Sequence, residues 1–390
     1  MQALWKPIVL AGACLAGTIL TAPAHAISGD WTLRSHPCLA SQTNALHRDD
    51  DGTLWVGCGS GQVGRGLWRS DDQGQTWKIP ETDVAEIIEF FRVFDISRGH
   101  DGWLYISGVD SRNGIAQRVI GLETSQGEPF QTKITLSATP QVGRQFTVGN
   151  YRELADGRAL ADSETGLDKL YRPSASTGAA ASEWTIPSPT IEAFTQIVTH
   201  DNGFYASGSR IAIPPRIFLP PTAPGAQPWQ FVELILNPVD RGEMWGIAVN
   251  DKRVVAVGVD QDRNVGQIYV SDGDPYNASS YRNHLLPDII GPGGVGTWAR
   301  GVCMRDDLIV VVGERQPLGS TTGQVMASND GGATFHDIRP AASVESVTKC
   351  TIAPNGMVTV AGAMGFIAHF DGLMPGDPIF RSRFQSESSQ

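Results

Sequence analysis

Short apolar runs, each opened by an Asp, Asn or Gly turn and most of them closed by glycine, recur along this chain. Asp51-Gly52-Thr53-Leu54-Trp55-Val56-Gly57 is the first, and Asp101-Gly102-Trp103-Leu104-Tyr105-Ile106-Ser107-Gly108 the second. Asp156–Asp162 is a weaker third; Asp201–Gly208, Asn250–Gly258, Asp306–Gly313 and Asn355–Gly362 continue the series. The runs end at 57, 108, 162, 208, 258, 313 and 362, so they recur every 46 to 55 residues. Apolar, β-branched runs of this length between turn residues read as strands. Regular repetition at this period is the signature of propeller blades. Each blade reads as four strands; in the sixth they are Trp298–Met304, Leu308–Val312, Gln324–Ala327 and Phe335–Ile338. Val84–Phe90 is the one segment that reads as a helical turn. The pattern predicts an all-β protein, a seven-bladed β-propeller of four-stranded antiparallel blades over 27–384. Trp31-Thr32-Leu33 is expected to close the ring on the final blade, with Ile379-Phe380-Arg381 as the competing closure. The polar tail 385–390 is expected to fray.

The first 26 residues change the address. Lys6 is their only Lys, Arg, Asp or Glu, an apolar run follows, and Ala24-His25-Ala26 is a small-x-small cleavage site. This predicts a signal peptide over 1–26 and a periplasmic or secreted product with no integral membrane segment after cleavage. Loss of Lys6 takes the formal net charge from −11 to −12, and an acidic surface argues against nucleic acid as a partner. With 44 Gly, 24 Pro, 18% charged and 41% hydrophobic residues, the composition suits a turn-rich, well-buried β protein. Four cysteines remain after cleavage, and an even count in an exported chain permits disulfides. Cys303 and Cys350 fall in the innermost strands of neighbouring blades, and Cys38 precedes the strand that Cys58 ends. The favoured pairs are therefore Cys38–Cys58 and Cys303–Cys350, with four buried free thiols as the alternative.

Between the third and fourth strands of a blade lies a conspicuous turn. Ser70-Asp71-Asp72-Gln73-Gly74-Gln75-Thr76-Trp77 and Ser328-Asn329-Asp330-Gly331-Gly332-Ala333-Thr334-Phe335 share the pattern Ser-x-Asp-x-Gly-x-Thr-aromatic. Ser and Asp side chains bond to nearby backbone and clip turns. Glycine admits a left-handed backbone, and the aromatic anchors the strand that follows. The two octapeptides resemble the Asp-box, or BNR, repeat. Asp-box propellers include sialidases, xyloglucan-active glycosidases, sortilin-type receptors and the Ycf48-like proteins. A single seven-bladed domain behind a signal peptide is most similar to the Ycf48-like group. The resemblance implies that Ser70, Asp72, Gly74, Trp77, Ser328, Asp330, Gly332 and Phe335 hold the fold and take no part in a site. Sialidases differ: they have six blades and a Phe-Arg-Ile-Pro motif before the first box. Here Phe91-Arg92-Val93-Phe94 lacks the proline and follows the box. The photosystem factor of the group uses a basic patch, whereas this chain is acidic.

Propellers bind ligands where the innermost strands converge on the channel mouth. Arg92, Arg152, Arg300 and Lys349 on those strands are candidates for holding an anionic group. Trp245 and Trp298 are candidates for stacking. The alternative reading packs the tryptophans between blades and spends the arginines on channel backbone. Asp95, Glu153 and Glu243 are the available carboxylates, but no spacing sets two of them together for glycoside hydrolysis. No Gly-x-Ser-x-Gly elbow and no metal-binding histidine spacing occur; His47, His100 and His200 precede turns and are expected at blade ends. No catalytic residue, cofactor or metal is expected. The sequence points to a monomeric, non-catalytic exported scaffold that binds a protein partner or assists assembly or export of an envelope complex. A carbohydrate-active, sialidase-like hydrolase with its site at the channel mouth is the alternative.

Overall fold

Seven antiparallel sheets follow one another along the chain; in six of them the order of the strands in space is their order in sequence, and the last takes the N-terminal strand as its outermost. The computed structural model describes residues 30–38, 41–60, 63–112, 116–137, 148–163, 169–172, 193–208, 214–222, 229–234, 241–286, 296–315, 321–340 and 346–371. The segments expected to form a signal peptide, the competing closure and a polar tail lie outside them. The innermost strands of blades one to seven are Thr43–Arg48, Phe91–Arg98, Val148–Glu153, Phe194–His200, Gly242–Asn250, Thr297–Arg305 and Val347–Ile352. Their partners include the apolar runs seen in the sequence: Leu54–Ser60, Leu104–Asp110, Ala159–Ser163, Gly203–Gly208, Arg253–Asp260, Leu308–Arg315 and Val358–Gly362. Blades two, four, five, six and seven have four strands. Blade one has three, and its fourth is reduced to the bridge between Arg69 and Lys78. Three strands of blade three are described. The predicted helical turn is a short helix, Ala85–Glu89, between blades one and two.

Ring closure follows the first of the two expected routes. Trp31, Thr32 and Leu33 pair antiparallel with Phe370, His369 and Ala368, so the N-terminal strand becomes the outermost strand of blade seven. Closure removes the exposed edges an open array would carry. Cys38, which follows this strand, is joined to Cys58 of blade one, Cα to Cα 5.3 Å. Cys303 of blade six is joined to Cys350 of blade seven, 5.8 Å.

The glycines that end the apolar runs have a single cause. In blades two, four, five, six and seven the innermost strand carries one extra residue: Phe94, Thr195, Trp245, Arg300 and Thr348. Opposite the residue before each bulge stand Gly108, Gly208, Gly258, Gly313 and Gly362. A Cβ there would lie 1.8 to 2.0 Å from the carbonyl oxygens of Arg92, Ala193, Glu243, Trp298 and Ser346, so only glycine fits. Blades one and three place Cys58, opposite Thr43, and Ser163, opposite Val148, at this position. The run ends at Gly57 and Asp162 are therefore each one residue early.

The two octapeptides build the same network. Ser70 Oγ donates to Asp72 Oδ1 (2.8 Å) and accepts from Gly74 N–H (2.7 Å). Asp72 accepts from Thr76 N–H (2.9 Å) and Oγ1–H (2.6 Å). Ser328, Asp330, Gly332 and Thr334 repeat these bonds at 2.7, 2.7, 3.0 and 2.7 Å. The Thr76 hydrogen bonds hold the Asp72 carboxyl down at about 2. Gly74 and Gly332 have φ of +80° and +84°, as the turn requires. Trp77 donates from its indole to the Ser35 carbonyl (2.8 Å), and Phe335 packs on the cluster between blades five and six.

Apolar packing lies between blades. Among the described residues, seven buried clusters occupy the seven junctions. The one between blades seven and one is the smallest, with Cys38, Val56, Cys58, Ala361 and Ile367.

Candidate functional site

The bulges determine what faces the channel, because an extra residue re-aims the side chains around it. Trp245 and Arg300 are both bulge residues, on neighbouring blades. The Arg300 guanidinium carbon lies 4.1 Å from the Trp245 ring centroid and 4.4 Å from that of Trp298. The two indoles meet edge to face, 5.6 Å apart. Cation–π contact of this kind contributes roughly 0.5–2 kcal/mol. Arg300 donates from Nε and a terminal nitrogen to Glu314 Oε1 (3.1 and 2.6 Å). Trp245 Nε1 donates to Glu243 (2.9 Å), and Trp298 Nε1 to Asn264 Oδ1 (2.7 Å). The Trp–Arg–Trp group is thus fixed at its polar atoms and half-buried. A mouth cavity of about 470 Å³ opens beside it, lined by Gln42, Asn44, Phe94, Arg300, Glu314 and Lys349 among others.

Deeper in, a channel cavity of about 320 Å³ is lined by innermost strands of all seven blades. Arg152 makes an ion pair with Asp95 across the junction of blades two and three. Lys349 lines both cavities. Burial lowers its pKa; Asp95 raises it in part, and Arg152 lowers it further. Of the six residues predicted for the mouth, Arg152, Arg300 and Lys349 therefore line the channel, and Trp245 and Trp298 flank Arg300. Arg92 is not among the residues lining either cavity; its guanidinium lies 4.5 Å from the Phe94 ring.

The three available carboxylates are all held. Asp95 is taken by Arg152. Glu153 accepts from Tyr151 (2.8 Å) and pairs with Arg172 (3.1 Å). Glu243 accepts from Trp245. Sequence reasoning missed Glu314 and Asn264, which meet the mouth only through strand register and the loop of the preceding blade.

At the other end of the innermost strands His47 bonds to Asp49 (3.1 Å). His200 Nε2 lies 3.3 Å from Asp201 and 3.2 Å from Asp251 of the next blade. These three ligand atoms lie within 4.8 Å of one another, and both carboxylates are exposed. The histidines do sit at blade ends, as the sequence implied. The grouping of His200 with Asp251 was hidden because Asp251 belongs to the adjacent blade.

No family model and no curated protein matches the chain in sequence. Solved structures do. YCF48 from Cyanidioschyzon merolae superposes with a TM-score of 0.59 at 16% identity, over 87% of this chain and 98% of that one. A structure of YCF48 bound to D1 peptide gives 0.57 at 14%, over 88% and 97%. Virginiamycin B lyase from Staphylococcus aureus gives 0.53 at 11%, over 89% and 100%. At such identities the likeness is one of fold. Among the described residues no helix is long and apolar enough to cross a membrane.

Proposed function

We propose that this chain is an exported, non-catalytic propeller of the Asp-box type. It binds a protein partner at the channel mouth and assists assembly or export of an envelope-associated complex. The observation that carries this reading is the Trp245–Arg300–Trp298 group beside an open cavity. Aromatic and arginine side chains fixed in advance are what protein recognition uses most. A fold neighbour whose structure is described as bound to a peptide supports the same role. Two disulfides suit an oxidising compartment. The matching networks of the two turns support the Asp-box kinship. The hydrolase reading is weaker, because Asp95, Glu153 and Glu243 each already serve a neighbour.

The test is affinity capture from native envelope extract with the wild type and with the Trp245→Ala/Trp298→Ala variant. One partner is expected to be retained by the wild type and lost by the variant. Recovery of no partner, or equal recovery by both, overturns the reading. Release of sugar from glycans would restore the hydrolase.

A further inference from the structure

The channel carries one more cation than it has anions to match. Arg152 is matched by Asp95 and Arg300 by Glu314. Lys349, which lines the channel and mouth cavities, has neither a hydrogen bond nor an ion pair among the described residues. Three cations against two anions leave one positive charge uncompensated, inside a chain whose formal net charge is −11. Lys349 is half-buried, and an unpaired charge facing a confined cavity attracts a counter-ion. Burial lowers the Lys349 pKa, and Asp95 raises it in part. The space is sufficient for one: about 320 Å³ equals roughly ten waters at ~30 Å³ each. The shared lining of the two cavities gives the anion a way in from the mouth, past Arg300.

We propose that the central channel is a site for a small oxyanion, a carboxylate or a phosphate, with Lys349 as its main ligand and Arg152 beside it. This goes beyond partner binding at the mouth and stands whether or not that role does. The ammonium donates up to three hydrogen bonds to the anion. Arg152, already held by Asp95, adds positive potential without having to move. The anion arrives either free or as the end of a chain entering from the mouth.

The experiment is calorimetry and thermal denaturation with inorganic phosphate, with citrate, and with a blocked dipeptide as its acid and as its amide. Sodium chloride is matched for ionic strength throughout. Wild type is expected to bind at least one oxyanion saturably, with a matching rise in Tm and proton uptake at alkaline pH. Binding of the dipeptide acid but not the amide would identify a chain end; binding of phosphate or citrate alone would identify a free anion. Lys349→Met is expected to weaken either by about tenfold or more. Without ligand it should melt no lower than wild type, since it removes an unpaired charge, so lost binding will not reflect misfolding. Arg92→Gln, at a residue that lines neither cavity, should bind as wild type. Equal binding by Lys349→Met and wild type, or no oxyanion effect beyond that of chloride, overturns the proposal.

Discussion

Gly313 ties the fold to the mouth in one atom. A Cβ there would lie 1.9 Å from the Trp298 carbonyl oxygen, and Trp298 precedes the bulge that presents Arg300. Gly313→Ala is therefore expected to cost about 1–3 kcal/mol by overpacking and to shift the emission of the Trp245–Trp298 pair. A urea midpoint and fluorescence spectrum equal to wild type would sink the account. Ser328 makes a complementary case: its buried hydroxyl accepts the Gly332 N–H at 2.7 Å. Ser328→Ala leaves that donor without its partner, so a loss of about 1–3 kcal/mol in urea denaturation is expected. The recurrence of glycine was legible in the sequence, but its cause was not. A bulge shifts register by one residue, and an apolar run does not disclose which residue is extra. For the same reason Cys58 and Ser163 went unrecognised at the glycine position. The mouth was legible as residue types on the innermost strands; the sandwich of Arg300 between two indoles depends on the register of two blades.

Blade seven is the element that needs support. It is built from both ends of the described chain, and the junction it forms with blade one has the smallest apolar cluster. The two disulfides fall at its two borders, Cys303–Cys350 toward blade six and Cys38–Cys58 toward blade one. On loop length alone, bridges of sequence separation 20 and 47 contribute about 3 and 4 kcal/mol. Position adds a further difference, because Cys38–Cys58 anchors the segment that follows the closing strand. Cys38→Ser/Cys58→Ser is expected to raise amide exchange first in Trp31–Leu33 and Ile367–Phe370, with blades four and five protected until global unfolding. Uniform loss of protection around the ring would show that closure is not the weak point. The closing strand was legible because Trp31-Thr32-Leu33 has a strand pattern and a closed ring needs a partner for it. The single bridge that stands for the fourth strand of blade one was not, since the turn pattern there is as complete as in blade six.

Across the whole ring, closure is also a polar matter, and this makes stability depend on pH. Arg48 of blade one donates to Thr359 Oγ1 (2.6 Å) of blade seven. Thr359 bonds to His369 Nδ1 (2.7 Å), and His369 Nε2 to the Gln73 carbonyl in the turn of blade one (2.6 Å). A carbonyl can only accept, so Nε2 carries the proton and Nδ1 accepts from Thr359. Burial, with Arg48 and Arg34 nearby, lowers the His369 pKa to about 4, against 6.5 for a free histidine. The unfolded chain therefore takes up this proton first as pH falls. This costs stability progressively between about pH 6.5 and 4 and is constant below, amounting to about 3 kcal/mol at full development. Asp162 acts in the opposite sense. Burial raises its carboxyl to about 7, so the folded state binds that proton more tightly and gains stability as pH falls from 7 toward 4. The two groups oppose each other in the wild type, and its pH profile alone does not separate them. The difference between wild type and His369→Gln does, because Asp162 is common to both. Urea unfolding at pH 7.5 and 4.5 is expected to show wild type losing about 2–3 kcal/mol relative to His369→Gln on acidification. A difference that stays the same at both pH values would mean that His369 titrates as an ordinary histidine and does not hold the ring closed in its neutral form.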